Sequence, residues 1–205
     1  MVDRRTVLKS MVLTACPALL ARPAAASPAQ SWGMKLVDAG LAQVGVTVLY
    51  DPAYVRLDYP GGDVPVERGV CTDVVVRAYR HAFGIDLQRL VNEDMRAGFS
   101  AYPKIWGRKQ PDRNIDHRRV PNLETFFRRK GAALDVVDDP KAYRPGDLVT
   151  QRLPGNLPHI AIVTDRMTPD GQRPLVVHNI GAGARVEDTL FAFRLNGHFR
   201  FPPNA

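Results

Sequence analysis

The order of two hydrophobic periodicities along the chain most limits its fold. In the first two thirds, apolar residues recur every three or four positions, which is typical of amphipathic helices. In the last third, short runs rich in Val, Ile and Phe are separated by Pro, Gly and Asp, which is typical of consecutive strands. Helices followed by sequential strands predict an α+β fold, with N-terminal helices packed on a mostly antiparallel sheet.

Four segments have the helical pattern. The first, residues 31–45, ends at Gly45, a residue type that commonly follows a helix. Its predicted buried face contains Met34, Val37, Leu41 and Val44. The other predicted helices span 71–83 with Gly84 after it, 86–99, and 122–132 with Gly131 as its stop. Strands are predicted at 146–153, 159–165, 174–181 and 191–201.

A long irregular stretch, residues 47–69, separates the first two helices. It is rich in Tyr, Pro and Gly and has neither period. Long loops inside compact domains tend to carry function, so we expect this one to be functional.

The N-terminus has the features of a twin-arginine export signal. Arg4 and Arg5 precede a moderately apolar stretch at 7–20, and Ala24 and Ala26 form a small-x-small cleavage site. A membrane anchor would need about 20 apolar residues without the polar interruptions present here. We therefore predict removal of residues 1–26, a periplasmic or otherwise exported protein, and no stable membrane insertion afterwards.

A lipoprotein is the alternative for this segment. The sequence "LTAC", residues 13–16, is similar to a lipoprotein box and would leave Cys16 as a lipidated first residue. The apolar run before it is short for that purpose, so cleavage after Ala26 is the preferred interpretation.

Length and charge limit the remaining chain, residues 27–205, to one domain with few partner classes. Domains run roughly 100 to 200 residues, and 45% hydrophobic with 24% charged residues is ordinary globular composition. Loss of the signal removes four basic residues and one acidic residue, which lowers the net charge from +7 to +4. That excess is too small to argue for nucleic acid.

Cys71 begins the second predicted helix and would be the only thiol after signal removal. A lone cysteine in an exported protein is a candidate reactive group. The positive end of the helix predicts a lowered pKa for its thiol. Asp73 would oppose that effect, and with Thr72 it is expected to cap the helix. The alternative is a buried packing residue among valines.

Two histidines could serve such a thiol. His159 opens one predicted strand and His178 closes the next, so a meander would bring them to one edge of the sheet. A thiol nucleophile needs a base, and the base needs a polar group that orients it. His81 and His198 are expected to be structural.

Four motifs together resemble the NlpC-type cell-wall peptidases, a branch of the papain-like cysteine peptidases. They are "GVCTDVVVRAY" (69–79), "RPGDLVTQRL" (144–153), "PHIAIVTD" (158–165) and "VVHNIG" (176–181). Two further stretches, "DLQRLVNEDM" (86–95) and "PDRNIDHRRVPNLETFF" (111–127), resemble an exported bacterial family known only as a domain of unknown function.

This resemblance implies a papain-like fold and a site with assigned roles. Cys71 would be the nucleophile at a helix N-terminus, His159 the general base and acid, and His178 the orienting third residue. Asn179 is a less favoured third member. No cofactor and no metal are implied.

The sequence departs from the family pattern around the nucleophile. Val70 and Thr72 flank Cys71, where the family usually has Asp and Ser. The family's upstream tyrosine, which assists the oxyanion site, could be Tyr50, Tyr54 or Tyr59. The backbone N–H of Cys71 is a further oxyanion donor.

A basic segment at 104–130 is the candidate substrate-binding region. It holds nine basic and three acidic residues. Arginine binds carboxylates in two-point fashion, and the stem peptides of peptidoglycan (murein) carry several carboxylates. A solvated helical face is the alternative interpretation. The candidate substrate-binding residues are Arg113, Arg118, Arg119, Asn179 and Tyr54.

Within the same segment, Asp112, Asp116 and His117 form a weak metal-site pattern, because no second histidine or cysteine lies nearby. We therefore expect no metal.

The sequence thus favours an exported cysteine hydrolase that cleaves an amide bond in peptidoglycan stem peptides, as an endopeptidase or an amidase. The expected partners are peptidoglycan or its peptide fragments, with the oligomeric state open. Acyl transfer by the same residues and a non-catalytic murein-binding module are the alternatives.

Overall fold

A computed structural model describes residues 31–202. The predicted export signal at 1–26 and the alternative lipidation site at Cys16 lie outside the described residues. The four helices are α1 (Trp32–Leu41), α2 (Cys71–Phe83), α3 (Leu87–Gly98) and α4 (Val120–Arg129). The strands are β1 (Leu49–Tyr50), β2 (Arg68–Gly69), β3 (Ala133–Leu134), β4 (Leu148–Leu153), β5 (Leu157–Met167), β6 (Pro174–Asn179), β7 (Ala184–Glu187) and β8 (Arg194–Phe199).

Six strands form one sheet in the order β3-β8-β4-β5-β6-β7. Every neighbouring pair in it is antiparallel. The short strands β1 and β2 form a separate parallel pair. The predicted combination of helices with an antiparallel sheet is therefore confirmed.

Helix α2 has the predicted boundaries and lies at the centre of the fold. Val74, Val75 and Ala78 are fully buried, and α2 packs on α1 and β5. Gly84 follows the helix with φ of 66°, a left-handed conformation that glycine adopts without steric cost. The C-terminal end of α2 is thus fixed at Gly84.

Helix α1 ends earlier than predicted, at Leu41, and turns continue to residue 46. Leu36 and Val37 are buried, whereas Val44 is exposed. The prediction for Val44 is wrong because the residue lies beyond the last helical turn, so the helical spacing no longer sets its direction.

The sheet is buried on both faces. Along β5, Ile160 and Ile162 pack with the helices, whereas Ala161 and Val163 belong to a second cluster on the opposite face. Strand side chains alternate between faces, so an apolar run is required when both faces are covered. That second cluster comprises Tyr143, Val149, Ala161, Val163, Val176 and Leu190.

Strand β7 was not predicted. Its sequence, Ala-Arg-Val-Glu, is short and half charged, and it forms an edge of the sheet. Strand β5 also begins two residues before the predicted start at His159. Both differences lie close to the two histidines, which are on β5 and β6, next to the edge strand β7.

Between residues 31 and 202, none of the helices combines the length and the apolar character required to span a bilayer.

Candidate active site

Cys71 is the first residue of α2 and is buried, with 4% of its surface exposed. Burial raises the pKa of its thiol to about 11, although backbone N–H groups of Ile160, Thr72 and Cys71 itself act in the opposite direction. The predicted lowering of this pKa is therefore wrong. Desolvation outweighs the helix terminus, and the thiol is neutral at pH 7.

Asp73 and Thr72 fix the start of α2. The Asp73 carboxylate accepts a 2.7 Å hydrogen bond from the Val70 backbone N–H, which confirms its capping role. The Thr72 hydroxyl instead donates to the backbone carbonyl of Arg118, at 3.1 Å. Asp73 thus caps the helix. Thr72, which stands where the family usually has Ser, ties the helix to the segment that carries Arg118.

Arg118 completes that connection from inside the protein. Its guanidinium forms a buried ion pair with Asp73, with Nε to Oδ1 at 2.9 Å. Nη1 donates to the carbonyl of Ala53 and Nη2 to that of Asp51, each at 3.0 Å. All three nitrogens are engaged within the protein, so we correct the predicted substrate-binding role of Arg118 to a structural one.

His159 and His178 are in direct contact. His159 Nε2 lies 2.8 Å from His178 Nδ1, and both rings are buried. The contact arises because β5 and β6 pair antiparallel, which brings the start of one strand beside the end of the other. His178 Nε2 lies in turn 2.8 Å from the Glu187 carboxylate on β7.

Both rings are neutral at pH 7. Burial, followed by repulsion from a protonated His178, lowers the pKa of His159 to about 3. Burial also lowers the pKa of His178, although its hydrogen bond with Glu187 acts in the opposite direction. A neutral imidazole has one bare nitrogen, so each ring can accept a proton.

Ile160, the residue after His159, links the histidine strand to the thiol. It belongs to the same buried cluster as Cys71, and its backbone N–H acts to lower the pKa of the thiol. Because Nε2 of His159 faces His178, Nδ1 is the ring nitrogen that remains for chemistry with the thiol. The structure therefore places a thiol, a candidate base and a candidate orienting group on three elements that pack together, α2, β5 and β6.

A cleft of about 180 Å³ opens beside Cys71. Tyr50 is the tyrosine that lines it. Burial, and then the nearby Cys71 and Asp73, raise the pKa of Tyr50 to about 12, so its hydroxyl keeps its proton at pH 7. Other lining residues are Trp106, Arg119, Val120, Pro121 and Pro158.

Tyr54 and Tyr59 make other contacts. The Tyr54 hydroxyl accepts from the side-chain amide of Asn114 at 2.8 Å and lies 3.3 Å from the Asp112 carboxylate. The Tyr59 ring lies under the guanidinium of Arg113. Of the three candidates for the upstream tyrosine, Tyr50 is the one beside the thiol.

Asn179 is fully buried and holds backbone on both sides. Its Nδ2 donates to the Gly69 carbonyl at 3.0 Å, and its Oδ1 accepts from the Gly181 N–H. The amide joins the end of β6 to the approach to Cys71. Asn179 therefore positions the loop before Cys71, whereas the predicted contact with substrate would require these bonds to break.

Residues 37–201 match a family described as "Domain of unknown function (DUF1287)". The chain belongs to the DUF1287 family. A relative in Escherichia coli (strain K12), named "Uncharacterized protein YijF", is 54% identical over 168 residues, which cover 82% of this chain and 81% of the relative.

Among solved structures, one described as "Structure of NlpC1 from Trichomonas vaginalis" is similar with a TM-score of 0.44 and 11% identity. The match covers 85% of the DUF1287 chain and 46% of the solved one, so our chain spans about half the length of that protein.

The basic segment of this DUF1287 chain is largely neutralised by ion pairs. Six of its nine basic side chains pair with carboxylates: Arg108, Arg118, Arg119, Arg128, Arg129 and Lys130. The Lys104 ammonium instead donates to the carbonyl of Phe99. Most of the segment is thus neither a free basic rim nor a simple solvated face.

Arg119 and Arg113 differ in their positions. Arg119 lines the cleft, stacks over the Trp106 ring at 4.1 Å, and bonds Asp116 through Nη1 at 3.1 Å. Arg113 is exposed and faces Tyr59, away from the residues that line the cleft. Arg118 and Arg119 both line the cleft beside Cys71, but all three nitrogens of the Arg118 guanidinium are bonded within the protein.

The DUF1287 residues 31–202 contain no group of three or more His, Cys, Asp or Glu side chains arranged to hold a metal ion. Asp116 accepts from the Asp112 backbone N–H, and His117 is buried. Burial lowers the pKa of His117 to about 3.

Glu187 is the member of the site that the sequence did not predict. It lies on the unpredicted strand β7, and no local motif distinguishes it from other surface carboxylates. Apolar Ala184 and Val186 alternate with charged Arg185 and Glu187, and this alternation was the available signal for a short strand.

Proposed function

We propose that this chain is an exported cysteine hydrolase of the NlpC-type, papain-like class, which cleaves an amide bond in peptidoglycan stem peptides. One observation carries the proposal. The buried His159–His178 pair lies on β5 and β6, the two strands that α2 packs against. Asn179, the residue after His178, is bonded to the Gly69 carbonyl, two residues before Cys71. A thiol, a base and an orienting group are the parts that nucleophilic acyl transfer requires.

The first step forms a thioester. His159 Nδ1 takes the thiol proton as the Cys71 sulfur attacks the carbonyl carbon of the scissile amide. The resulting imidazolium gives that proton to the amide nitrogen as the carbon–nitrogen bond breaks, so the amine leaves neutral.

The second step releases the acid. His159 Nδ1 takes a proton from water, whose oxygen attacks the thioester carbonyl carbon. The carbon–sulfur bond breaks, and the proton returns to the sulfur. Because both partners are neutral at rest, the proton moves from the sulfur to His159 during the attack and not before it.

Two donors suit the developing oxyanion. The N–H of Cys71 has no acceptor within its helix, because it belongs to the first turn. The Tyr50 hydroxyl lines the same cleft and remains protonated, since burial and its neighbours raise its pKa. Oxyanion donors of this kind contribute about 3 to 4 kcal/mol each to transition-state stabilisation.

The cleft suits an acidic peptide. Arg119 presents a cation over an aromatic ring, and among the described residues its guanidinium bonds Asp116 through Nη1. Nε and Nη2 can therefore receive a substrate carboxylate. Export to the compartment that contains murein, which the N-terminal sequence predicts, agrees with such a substrate.

Digestion of purified murein tests the proposal. We expect the wild type to release new peptide-containing fragments, identified by mass spectrometry, and the Cys71→Ala variant to release none. A His81→Gln variant, which alters the exposed side of the same helix, is the matched control and should match the wild type. Absence of new fragments over a range of pH and murein preparations would falsify the hydrolase.

Acyl transfer differs only in the acceptor. A labelled amine present during digestion would enter the product in place of water if the thioester is resolved by transfer. Unlabelled, hydrolysed termini alone would identify a hydrolase.

A murein-binding module is the second candidate, favoured by the buried thiol whose pKa is raised to about 11. Co-sedimentation with murein that is equal for wild type and Cys71→Ala, without fragment release, would support binding alone.

A further inference from the structure

We propose that Glu187 is a positioning residue that sets which nitrogen of His159 carries the proton. It acts through His178 and does not touch the substrate. The inference rests on the proposed function for its consequence in catalysis, whereas the proton positions can be measured without any activity.

Glu187 determines the proton on the outer side of His178. Its Oε2 lies 2.8 Å from His178 Nε2. An ionised carboxylate can only accept hydrogen bonds, so Nε2 of His178 must be the nitrogen that carries the proton. Neutral His178 then has a bare Nδ1.

The bare nitrogen determines the state of His159. His178 Nδ1 faces His159 Nε2 at 2.8 Å, so His159 must donate from Nε2. Neutral His159 is thereby left with its lone pair on Nδ1. That nitrogen can then take a proton from Cys71. The positions of the protons on both rings therefore follow from the Glu187 carboxylate.

The reverse order is equally possible for the two rings alone. If His178 carried its proton on Nδ1, it would donate to Nε2 of His159, and His159 would hold its own proton on Nδ1. The contact between the rings is the same length in both cases, but His159 could no longer act as a base. Among the described residues, the contact outside the pair that distinguishes the two states is the one from His178 Nε2 to Glu187.

The charged neighbours of Glu187 have other partners. Arg185, which pairs with His178 in the strand register, donates to the carbonyl of Ala182. Asp188, the next residue, forms an ion pair with Arg173. The Glu187 carboxylate is half-exposed, and its hydrogen bond with His178 is the contact that orients it.

Imidazole ¹⁵N spectroscopy at pH 7 tests the proposal on the full chain. His159→Gln and His178→Gln spectra assign the two rings. We expect His159 in the wild type to be protonated on Nε2, and Glu187→Leu, which has no acceptor, to shift a large fraction of the molecules to Nδ1. Glu187→Gln, with a neutral acceptor, should lie between them. Asp188→Asn, the adjacent carboxylate, should match the wild type.

Murein cleavage supplies the functional readout. We expect Glu187→Leu to lower kcat by about 10- to 100-fold with little change in KM, which corresponds to one charge-assisted hydrogen bond. Thermal unfolding is measured alongside, since a merely structural role would lower the Tm without moving the proton.

Unchanged His159 protonation in Glu187→Leu would overturn the proposal. If the wild type releases no murein fragments but the proton moves as expected, the proposed hydrolase fails and the role of Glu187 stands. If the wild type releases murein fragments and the proton does not move, the role of Glu187 fails and the proposed hydrolase stands.

Discussion

Two buried histidines in this molecule contact a carboxylate at the same distance and have different surroundings. His178 lies 2.8 Å from Glu187, and His198 lies 2.8 Å from Asp147. His198 Nδ1 faces the Asp135 carbonyl at 3.1 Å, so both its nitrogens end at acceptors. His178 Nδ1 faces another imidazole.

The carboxylates differ in the same way. Burial tends to raise the pKa of Asp147, but hydrogen bonds from His198 and Arg200 outweigh it and hold the pKa below its usual value. Asp147 also accepts from the Arg144 backbone N–H. Glu187 lies at the sheet edge and is half-exposed. The Asp147 pair closes a structural network, whereas the Glu187 pair leads towards the thiol.

The largest expected effect separates the two histidines by activity. His178→Phe removes the group that orients His159, so we expect murein cleavage to fall by about 10²- to 10⁴-fold, the usual size of a general-base contribution. Initial rates of fragment release measure it. A rate within threefold of the wild type would exclude an orienting role for His178.

The next effect separates them by stability. Asp147→Ala leaves buried His198 and partly buried Arg200 without their partner, so we expect about 3 to 5 kcal/mol less free energy of unfolding. Urea titration measures it. The folded fraction should retain its specific activity.

Asp188→Asn is the control for that loss, because its ion pair with Arg173 is exposed and contributes about 1 kcal/mol or less. Equal losses in the two variants would contradict the distinction between the Asp147 network and a surface pair.

The smallest effect concerns pH. The pKa of folded His159 is about 3, whereas that of the unfolded chain is near 6.5, so the unfolded state binds more protons between these values. Its contribution to stability is present above pH 6.5 and lost as the pH falls towards 3. From pH 7 to pH 5 we expect a loss of about 2 kcal/mol from this residue.

Urea unfolding of the wild type and His159→Gln at both pH values isolates that contribution. The difference between the two proteins should change by the stated amount. Parallel pH dependence in wild type and variant would show that the His159 ring is accessible to protons in the folded state.

Much of the fold follows from local signals, and much of the site does not. The boundaries of α2 were predictable because valine spacing and Gly84 agree with each other. The meeting of His159 and His178 followed from antiparallel strands in sequence. Strand β7, and with it the role of Glu187, was not predicted, because a four-residue strand at a sheet edge has too weak a sequence pattern.

The ionisation and pairing of the site residues were harder to predict than their positions in the fold. The helix terminus predicted a lowered thiol pKa, but the degree of burial of Cys71 depends on residues far along the chain. Arg118 could not be distinguished from its basic neighbours, because its partner Asp73 lies 45 residues earlier. Only the tertiary structure decides which cations remain free.

The bond from Asn179 to Gly69 has a consequence for the order of folding. It joins residues 110 apart in sequence. The strands β5 and β6, which carry the two histidines, likewise come long after α2 in the chain. Local helices form sooner than contacts that close long loops. We therefore expect α2 to form before β5 and β6 dock, so that a newly made chain holds its cysteine without a base and gains reactivity only as the last strands join the sheet.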